Sequence, residues 1–126
     1  MFGLLVFWDL AEGAATDREG LRDYLRERSI PRFRGMEGLR QKVWLSQPDG
    51  KWGALYLFET EAAREAVIAH LDESPVVELT GKRPTWERFD VEAVVEGKHA
   101  GSDLLSAGLA VADGEEQSPS ASRSRS

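Results

Sequence analysis

The feature that most constrains the fold is a hairpin signal near the middle of the chain. Two strand-like runs, Leu39 to Gln47 and Lys51 to Glu59, flank Pro48-Asp49-Gly50. Proline suits position i+1 of a type I turn, and the glycine suits the left-handed position of the bulge that follows. The two runs are therefore predicted to be neighbouring antiparallel strands.

Strand and helix signals alternate on both sides of the hairpin. A T-D-R-E capping box that begins at Thr16 opens a helix that Pro31 should stop or kink. The predicted elements are a strand over 2–9, a helix over about 17–30, the two hairpin strands, a helix capped by Thr60 and a strand over about 85–95. This order predicts an α+β, ferredoxin-like βαββαβ fold, with an antiparallel four-stranded sheet and both helices on one face.

Composition divides the chain near Gly97. Residues 1–97 hold all four tryptophans and both tyrosines, whereas 98–126 contain no aromatic residue and end in a serine-rich run. Such a run buries too little apolar surface to offset the entropy of ordering it. We predict a ferredoxin-like domain over 1–97 and a mostly disordered tail over 98–126, with a weak helix at 102–111.

Charge and residue usage exclude several classes of function. The net charge of −6 disfavours sequence-independent binding to nucleic acid or to an anionic membrane. The absence of cysteine excludes disulfides and thiolate chemistry, and His70 and His99 leave little for a metal site, so no metal or cofactor is expected. No apolar run approaches the ~18 residues of a membrane span, and the N-terminus lacks a basic signal-peptide region, so a cytoplasmic location is expected.

The hairpin register divides the side chains of the sheet between two faces. Lys42, Trp44, Tyr56 and Phe58 share one face, and the opposite face of the hairpin is aliphatic. The aliphatic face is predicted to lie against the helices, which leaves the aromatic face in need of a cover. A second subunit, a flat aromatic ligand and stacked nucleobases are the three candidate covers.

Nucleobases are the weakest of these candidates. The third strand matches the signature of RNA-recognition motifs only at Lys51, Ala54 and Phe58, and it lacks two of the signature aromatics. Together with the acidic net charge, this argues against a nucleic-acid partner.

The hairpin segment, Gly35 to Thr60, resembles the YdhR-like monooxygenases, a branch of the dimeric α/β-barrel superfamily. The matching features are G-L-x-x-K-V-W at Gly38 to Trp44, G-x-x-Y-L-F-E at Gly53 to Glu59, and F-D-V at Phe89 to Val91. The resemblance extends over about residues 2–97 and leaves out the tail.

This resemblance implies a homodimer in which two ferredoxin-like sheets pack into a barrel. It also implies a relationship to the antibiotic-biosynthesis monooxygenases, which oxidise aromatic, polyketide-like substrates without flavin, haem or metal. The expected function is cofactor-independent monooxygenation of a small aromatic or polyketide-like molecule. The superfamily also contains cyclases, isomerases and decarboxylases, so non-oxidative chemistry or a catalytically inert ligand-binding dimer are the alternatives.

Cofactor-free oxygenation requires a base, a donor or cation beside the developing oxyanion, and flat apolar walls. Lys42 is the first catalytic candidate, because desolvation inside an apolar strand would lower its pKa. The Tyr56 hydroxyl is the second, as a donor to a substrate oxygen. The candidate substrate-binding residues are Trp8, Trp44, Trp86 and Arg88.

Each candidate also has a structural interpretation. Lys42 could form an interface salt bridge, Arg88 a surface ion pair, and the hairpin aromatics the core of an interface. The pocket itself has two possible places. If ligand binds between helices and sheet, as in related families, Tyr24, Phe33 and His70 become lining residues.

Overall fold

The computed structural model describes residues 1–11, 13–48 and 50–112, which form a four-stranded antiparallel sheet and its helices. The strands are β1 (Phe2–Asp9), β2 (Leu39–Ser46), β3 (Lys51–Phe58) and β4 (Thr85–Asp90), in the spatial order β2-β3-β1-β4. The helices are α1 (Arg18–Tyr24), α2 (Ile30–Arg34), α3 (Glu61–Ala69), α4 (Pro75–Thr80) and α5 (Leu109–Ala112). A π-helical turn, Leu25–Ser29, joins α1 to α2. The predicted ferredoxin-like fold is confirmed.

The predicted hairpin register is confirmed over most of its length. The opposed pairs are Lys42–Tyr56, Trp44–Ala54 and Ser46–Trp52. Towards the start of β2 the register shifts between Leu39 and Gln41, so that Leu39 rather than Arg40 lies opposite Phe58. Such a bulge adds one residue to one strand and changes which side chain faces inward.

The prediction that the helices cover the aliphatic face is wrong. They pack on the aromatic face, where Trp8, Trp52, Tyr56 and Phe58 are each at most 6% exposed. Aromatic rings bury more apolar area than the smaller aliphatic side chains do, so this face gains most from being covered. We call it the helix face.

The other side of the sheet carries the aliphatic residues, and no helix of the described residues forms a layer over it. Three of its residues, Val43, Leu45 and Phe89, are 39–43% exposed. We define the open face as the surface formed by Leu5, Phe7, Val43, Leu45, Leu55 and Phe89.

The first helical segment differs from its predicted limits. Asp17 rather than Thr16 caps it, through a 2.9 Å hydrogen bond that its carboxylate accepts from a backbone N–H. Pro31 does not end the segment, because it lies in the first turn of α2, where a missing N–H is tolerated. The wider π-helical turn before it also accommodates the proline ring.

The other limits agree more closely. Thr60 caps α3 as predicted, because its hydroxyl accepts a 3.1 Å hydrogen bond from the N–H of Ala63. The last strand is shorter than predicted and ends at Asp90 rather than near Val95.

Residues 98–112 contain a short 3₁₀ turn, Leu104–Ser106, and α5. The carbonyl of Ala110 accepts a 2.7 Å hydrogen bond from Arg26 and so connects this segment to the π-helical turn between α1 and α2. The disorder predicted from residue 112 onward concerns residues 113–126, which lie outside the described part of the chain. The division into 1–97 and 98–126 remains a prediction.

Gly53 allows a close approach between β3 and β1. A methyl group at this position would collide with the carbonyl oxygen of Val6 and the ring of Phe7. We expect Gly53→Ala to lower the free energy of unfolding by about 1–3 kcal/mol, because the two strands would have to separate. Urea denaturation followed by circular dichroism measures the change.

Gly97→Ala is the matched control, because no atom beyond Gly97 and its two chain neighbours lies within 4 Å of the added methyl. Its stability should stay within about 0.5 kcal/mol of the wild type. Equal stability of the two variants would contradict a steric role for Gly53.

Candidate active site between the sheet and the helices

A cavity of about 520 Å³ lies between the helix face of the sheet and the helices. This volume is in the range of small-molecule sites. Its aromatic lining residues are Trp8, Tyr24, Phe33, Trp44, Trp52 and Tyr56, and its polar ones are Ser29, Arg32, Glu37, Lys42, His70, Glu73 and Ser74. The walls are therefore largely flat and apolar, with a few polar groups among them.

The sequence left two places open for the pocket, the aromatic face of the sheet and the space between the helices and the sheet. In the structure these two places are the same. Tyr24, Phe33 and His70 line the same cavity as Lys42 and Tyr56. They meet because the helices cover the aromatic face rather than the aliphatic one. His70 lies at the rim, where its Nδ1 is 3.1 Å from the Glu73 carboxylate and its side chain is 69% exposed.

The amino group of Lys42 is enclosed by three aromatic rings. Its Nζ lies 3.3 Å from the ring centroid of Phe33, 4.4 Å from that of Tyr56 and 4.6 Å from that of Trp44. Ring faces attract a cation and leave room for a flat ligand beside it. In the described part of the chain, no carboxylate forms a salt bridge with Lys42.

The protonation of Lys42 follows from these surroundings. Burial, and to a smaller extent the neighbouring Arg32 guanidinium, lower the pKa of Lys42 to about 6. At neutral pH the amine therefore carries a free electron pair and can accept a proton. An anion bound beside it would reverse the shift, because an opposite charge favours the ammonium form.

Tyr56 places its ring beside the Lys42 amine and carries a phenolic hydroxyl at the cavity. Its ring stacks on Phe58, with centroids 5.6 Å apart and planes at 8°, and meets the edge of Phe33 at 5.9 Å. Burial raises the pKa of Tyr56 well above its usual value, so the hydroxyl keeps its proton. No side-chain hydrogen bond among the described residues involves this hydroxyl.

Trp44 and Trp8 form walls of the cavity on different strands. Trp44 lies on the edge strand β2 and packs edge-on against Phe33, with centroids 6.1 Å apart and planes at 77°. Trp8 ends the apolar run of β1 and is 5% exposed. Both positions agree with the predicted substrate-binding role, which remains a prediction.

Trp86 and Arg88 are not brought to this cavity. Arg88 forms two hydrogen bonds, of 2.9 and 2.7 Å, with the Glu65 carboxylate on α3, and its guanidinium lies 4.9 Å from the Trp86 ring. These hydrogen bonds, with help from Arg64, lower the pKa of Glu65 to about 2. The geometry matches the surface ion pair considered for Arg88, and its partner, Glu65, lies on α3.

Arg32, Met36 and Glu37 line the cavity without having been singled out in the sequence. Arg32 is the most consequential, because its charge acts on Lys42. A helix continued through Pro31 would have placed Arg32 and Met36 on the face that carries Leu25. The expected stop at the proline concealed this periodicity.

Neither a metal cluster nor a membrane-spanning helix is found in the described residues. No group of three or more His, Asp or Glu side chains within 1–11, 13–48 and 50–112 is arranged to hold a metal ion. Over the same residues, no helix is long and apolar enough to cross a bilayer.

No family model matches the chain, and no curated protein matches its sequence. Solved structures do resemble it. The ActVA-Orf6 monooxygenase of Streptomyces coelicolor, in complex with nanaomycin D, is 17% identical with a TM-score of 0.55, over 75% of this chain and 89% of that one. SnoaB, a cofactor-independent oxygenase from Streptomyces nogalater, is 11% identical with a TM-score of 0.52, over 76% of this chain and 97% of that one.

A dimeric ferredoxin-like protein from an uncultured marine organism is 19% identical with a TM-score of 0.56, over 75% of this chain and 97% of that one. At these identities the likeness establishes the fold. The chain thus has the ferredoxin-like fold that two oxygenases and a ferredoxin-like dimer share.

Lys42→Met should stabilise the protein. Methionine fills the same space without a group that must lose its proton or its hydration, so the free energy of unfolding should rise by on the order of 1–3 kcal/mol at pH 6. Because the pKa of Lys42 falls from 10.5 to about 6 on folding, the unfolded chain binds more protons between these values. The stability gain should therefore be largest at or below pH 6 and shrink towards pH 10.5.

Thermal melts of both proteins at pH 6, 8 and 10 test this expectation. Lys98→Met, at an exposed position outside the sheet, is the matched control and should show no pH-dependent gain. A Lys42→Met variant that is less stable than the wild type at pH 6 would mean that the three ring faces stabilise the ammonium more than burial destabilises it.

Proposed function

We propose that this protein is a cofactor-independent monooxygenase that acts on a small aromatic or polyketide-like substrate with an ionisable hydroxyl or an equally acidic C–H group. The observation that carries the proposal is the Lys42 amine, buried among aromatic rings and without a carboxylate partner in the described residues. A structural lysine would be expected to pair with an acidic group. The resemblance to the YdhR-like monooxygenases and the shared fold of two oxygenases support the same chemistry.

The first step is the loss of a proton from the substrate. The neutral Lys42 amine accepts this proton, and the ammonium and the substrate anion then stabilise each other in a site of low polarity. The Tyr56 hydroxyl donates a hydrogen bond to the oxyanion, which spreads the negative charge further. Phe33 and Trp44 hold the rings of the substrate flat beside these two groups.

Oxygen then reacts with the bound anion. The anion transfers one electron to O₂, and the resulting radical and superoxide combine to form a C–O bond and a peroxide. The Lys42 ammonium protonates the peroxide. The same carbon then loses its second proton, and its C–H electron pair forms the C=O bond as the O–O bond breaks. The departing hydroxide takes up a proton and leaves as water. For an anthrone, the balance is C₁₄H₁₀O + O₂ → C₁₄H₈O₂ + H₂O, so one oxygen atom enters the quinone and the other leaves as water.

Oxidation of 1,8-dihydroxyanthrone under ¹⁸O₂ by the full chain tests this function. We expect O₂ uptake above the buffer rate and one ¹⁸O atom in the quinone product. Lys42→Met should lower kcat/KM by roughly 10²–10⁴-fold through loss of the base. Tyr56→Phe should lower it by about 10–100-fold while leaving stability nearly unchanged, because only the hydroxyl is removed.

The pH profile separates a base from a merely structural lysine. In the wild type, kcat/KM should rise with pH through about 6 as the Lys42 pKa is passed, and this limb should be absent in Lys42→Met. Lys98→Met should keep wild-type kinetics. Full activity in a folded Lys42→Met variant would place the chemistry elsewhere, and a product with unchanged oxygen count, formed equally well without air, would favour a cyclase, isomerase or decarboxylase.

We further propose that a second copy of the chain covers the open face. The two sheets would then pack into a barrel, as in the dimeric α/β-barrel superfamily that the sequence resembles. Exposed Val43, Leu45 and Phe89 form an apolar surface of the kind that monomers rarely leave in water. The fold shared with a dimeric ferredoxin-like protein supports the same assembly.

Leu45→Glu should convert the homodimer to a monomer, because a charge would be buried where the second copy covers the open face. Native mass spectrometry and light scattering of the purified protein measure the change. Leu105→Glu is the matched control: Leu105 is 83% exposed and lies outside the sheet, so this variant should remain dimeric. A monomeric wild type would rule out this cover for the open face.

A further inference from the structure

The Lys42 amine faces the cavity without a partner. No side-chain hydrogen bond or salt bridge among the described residues involves its Nζ. In that part of the chain, Trp8 carries the only fully enclosed side-chain nitrogen or oxygen without a partner. The Nζ of Lys42, which lines the cavity, therefore keeps surface that a ligand can touch.

The surroundings of Lys42 are those of a reactive amine. Lysines that attack carbonyl carbon are activated in apolar pockets or beside another cationic group. Both conditions hold here, because three rings enclose Nζ and the Arg32 guanidinium lies close by. The Nζ and the guanidinium carbon are 3.3 and 5.2 Å from the centroid of the same ring, Phe33. Burial and this neighbouring charge, in that order, lower the pKa of Lys42.

The other ionisable groups along the cavity leave the amine free. They are Tyr24, Arg32, Glu37, Tyr56, His70 and Glu73. Tyr56 keeps its proton because burial raises its pKa, and Glu73 lies 3.1 Å from His70 at the rim. Within the described chain, neither Glu37 nor Glu73 forms a salt bridge with Lys42. A neutral ligand therefore meets an amine whose electron pair is available.

We propose that the Lys42 amine is also a nucleophile, which condenses with the carbonyl group of a flat aromatic aldehyde or ketone in the cavity to form an imine. Phe33 and Trp44, two of the rings around the amine, hold such a ligand beside it. This activity goes beyond oxygenation, because it uses a neutral ligand and no oxygen. An imine also draws electrons from the bonds beside the former carbonyl carbon, which makes those bonds easier to break.

The condensation balances without an oxidant or a reductant. The Nζ electron pair forms a bond to the carbonyl carbon, and the electron pair of the C=O π bond moves to oxygen. Both protons of the attacking amine pass to that oxygen, which leaves as water while the C=N bond forms. The imine and one water molecule thus account for every atom of the carbonyl compound and the amine, and hydrolysis reverses the step.

Reductive trapping of the full chain with 2-naphthaldehyde and cyanoborohydride at pH 7, without oxygen, tests the proposal. Hydride from cyanoborohydride reduces the imine and fixes a naphthylmethyl group on each lysine that reacts. Peptide mass spectrometry separates the four lysines, Lys42, Lys51, Lys82 and Lys98. Lys42 should be labelled about 10–100-fold faster than the exposed Lys98, because a lysine in water is almost wholly protonated at this pH.

Two controls connect the reactivity with the folded cavity. In concentrated urea, which unfolds the chain, Lys42 and Lys98 should be labelled at rates within about twofold of each other. Lys98→Met should leave the labelling of Lys42 unchanged. Every site is read in the wild type, so the result does not depend on the folding of a Lys42 variant. Equal labelling of Lys42 and Lys98 in the folded chain, or a preference that persists in urea, would overturn the proposal.

The ratio of Lys42 labelling to Lys98 labelling should depend on pH. The Lys42 amine is already free above its pKa of about 6, so its labelling gains no further free amine as the pH rises. A lysine in water gains free amine by about tenfold per pH unit in this range. The ratio should therefore fall between pH 7 and pH 9. A constant ratio would mean that Lys42 is protonated like a lysine in water, which contradicts the proposal.

Propanal, an aldehyde without a ring, tests the class of ligand. The ratio of Lys42 labelling to Lys98 labelling should be at least about fivefold higher with 2-naphthaldehyde than with propanal, because only the naphthyl ring packs against aromatic walls. Equal ratios for the two aldehydes would reject an aromatic ligand.

The outcomes for the nucleophile and for oxygenation are distinguishable. Preferential labelling of Lys42 without O₂ uptake from 1,8-dihydroxyanthrone would uphold the nucleophile and reject oxygenation. Oxygen uptake that requires Lys42, without preferential labelling, would do the reverse.

Discussion

The structure depends on the burial of one aromatic sheet face beneath the helices. Rings from both inner strands, Trp8 of β1 and Trp52, Tyr56 and Phe58 of β3, lie on this face. Such rings contribute much apolar area, but their rigid shapes do not fill the space under short helices completely. The gap that remains is the cavity, so the same residues stabilise the fold and form the walls of the candidate site.

Burial also determines the electrostatics of the site. Lys42 has aromatic rings where a carboxylate would be expected, and Arg32 adds a second positive charge nearby. Burial disfavours the charged form of the Lys42 amine, and the positive charge of Arg32 repels it, so the lysine readily loses its proton. A ligand that becomes an anion supplies the missing counter-charge, so the site is most stable with the reactive form of the proposed substrate bound. Binding and deprotonation would then favour each other.

Local sequence signals predicted the fold well and its faces poorly. The proline–glycine turn fixed the pairing of Lys42 with Tyr56, and Thr60 marked the start of α3, because both depend on residues close in the chain. Which face the helices cover depends on the total area each face can bury, and a single strand does not carry that information. Aliphatic Val43 and Leu45 pointed to the wrong side for this reason. Likewise, Arg32 lies in the site because the helix continues past Pro31 after a π-helical turn. The sequence rule that a proline ends a helix does not predict this continuation.

The β2 sequence Lys42-Val43-Trp44-Leu45 places the two proposed functions back to back. Alternation along the strand directs Lys42 and Trp44 into the cavity and Val43 and Leu45 to the open face. A slip of one residue would exchange the two sets. It would expose Lys42 and Trp44 on the open face and bury Val43 and Leu45 under the helices. The hairpin turn at one end of the strand and the bulge beside Leu39 at the other hold the register against this slip. The proposed ligand site and the proposed subunit interface therefore depend on the same strand register but use different side chains of β2. A mutation at one set of side chains can alter one of them without directly removing the other.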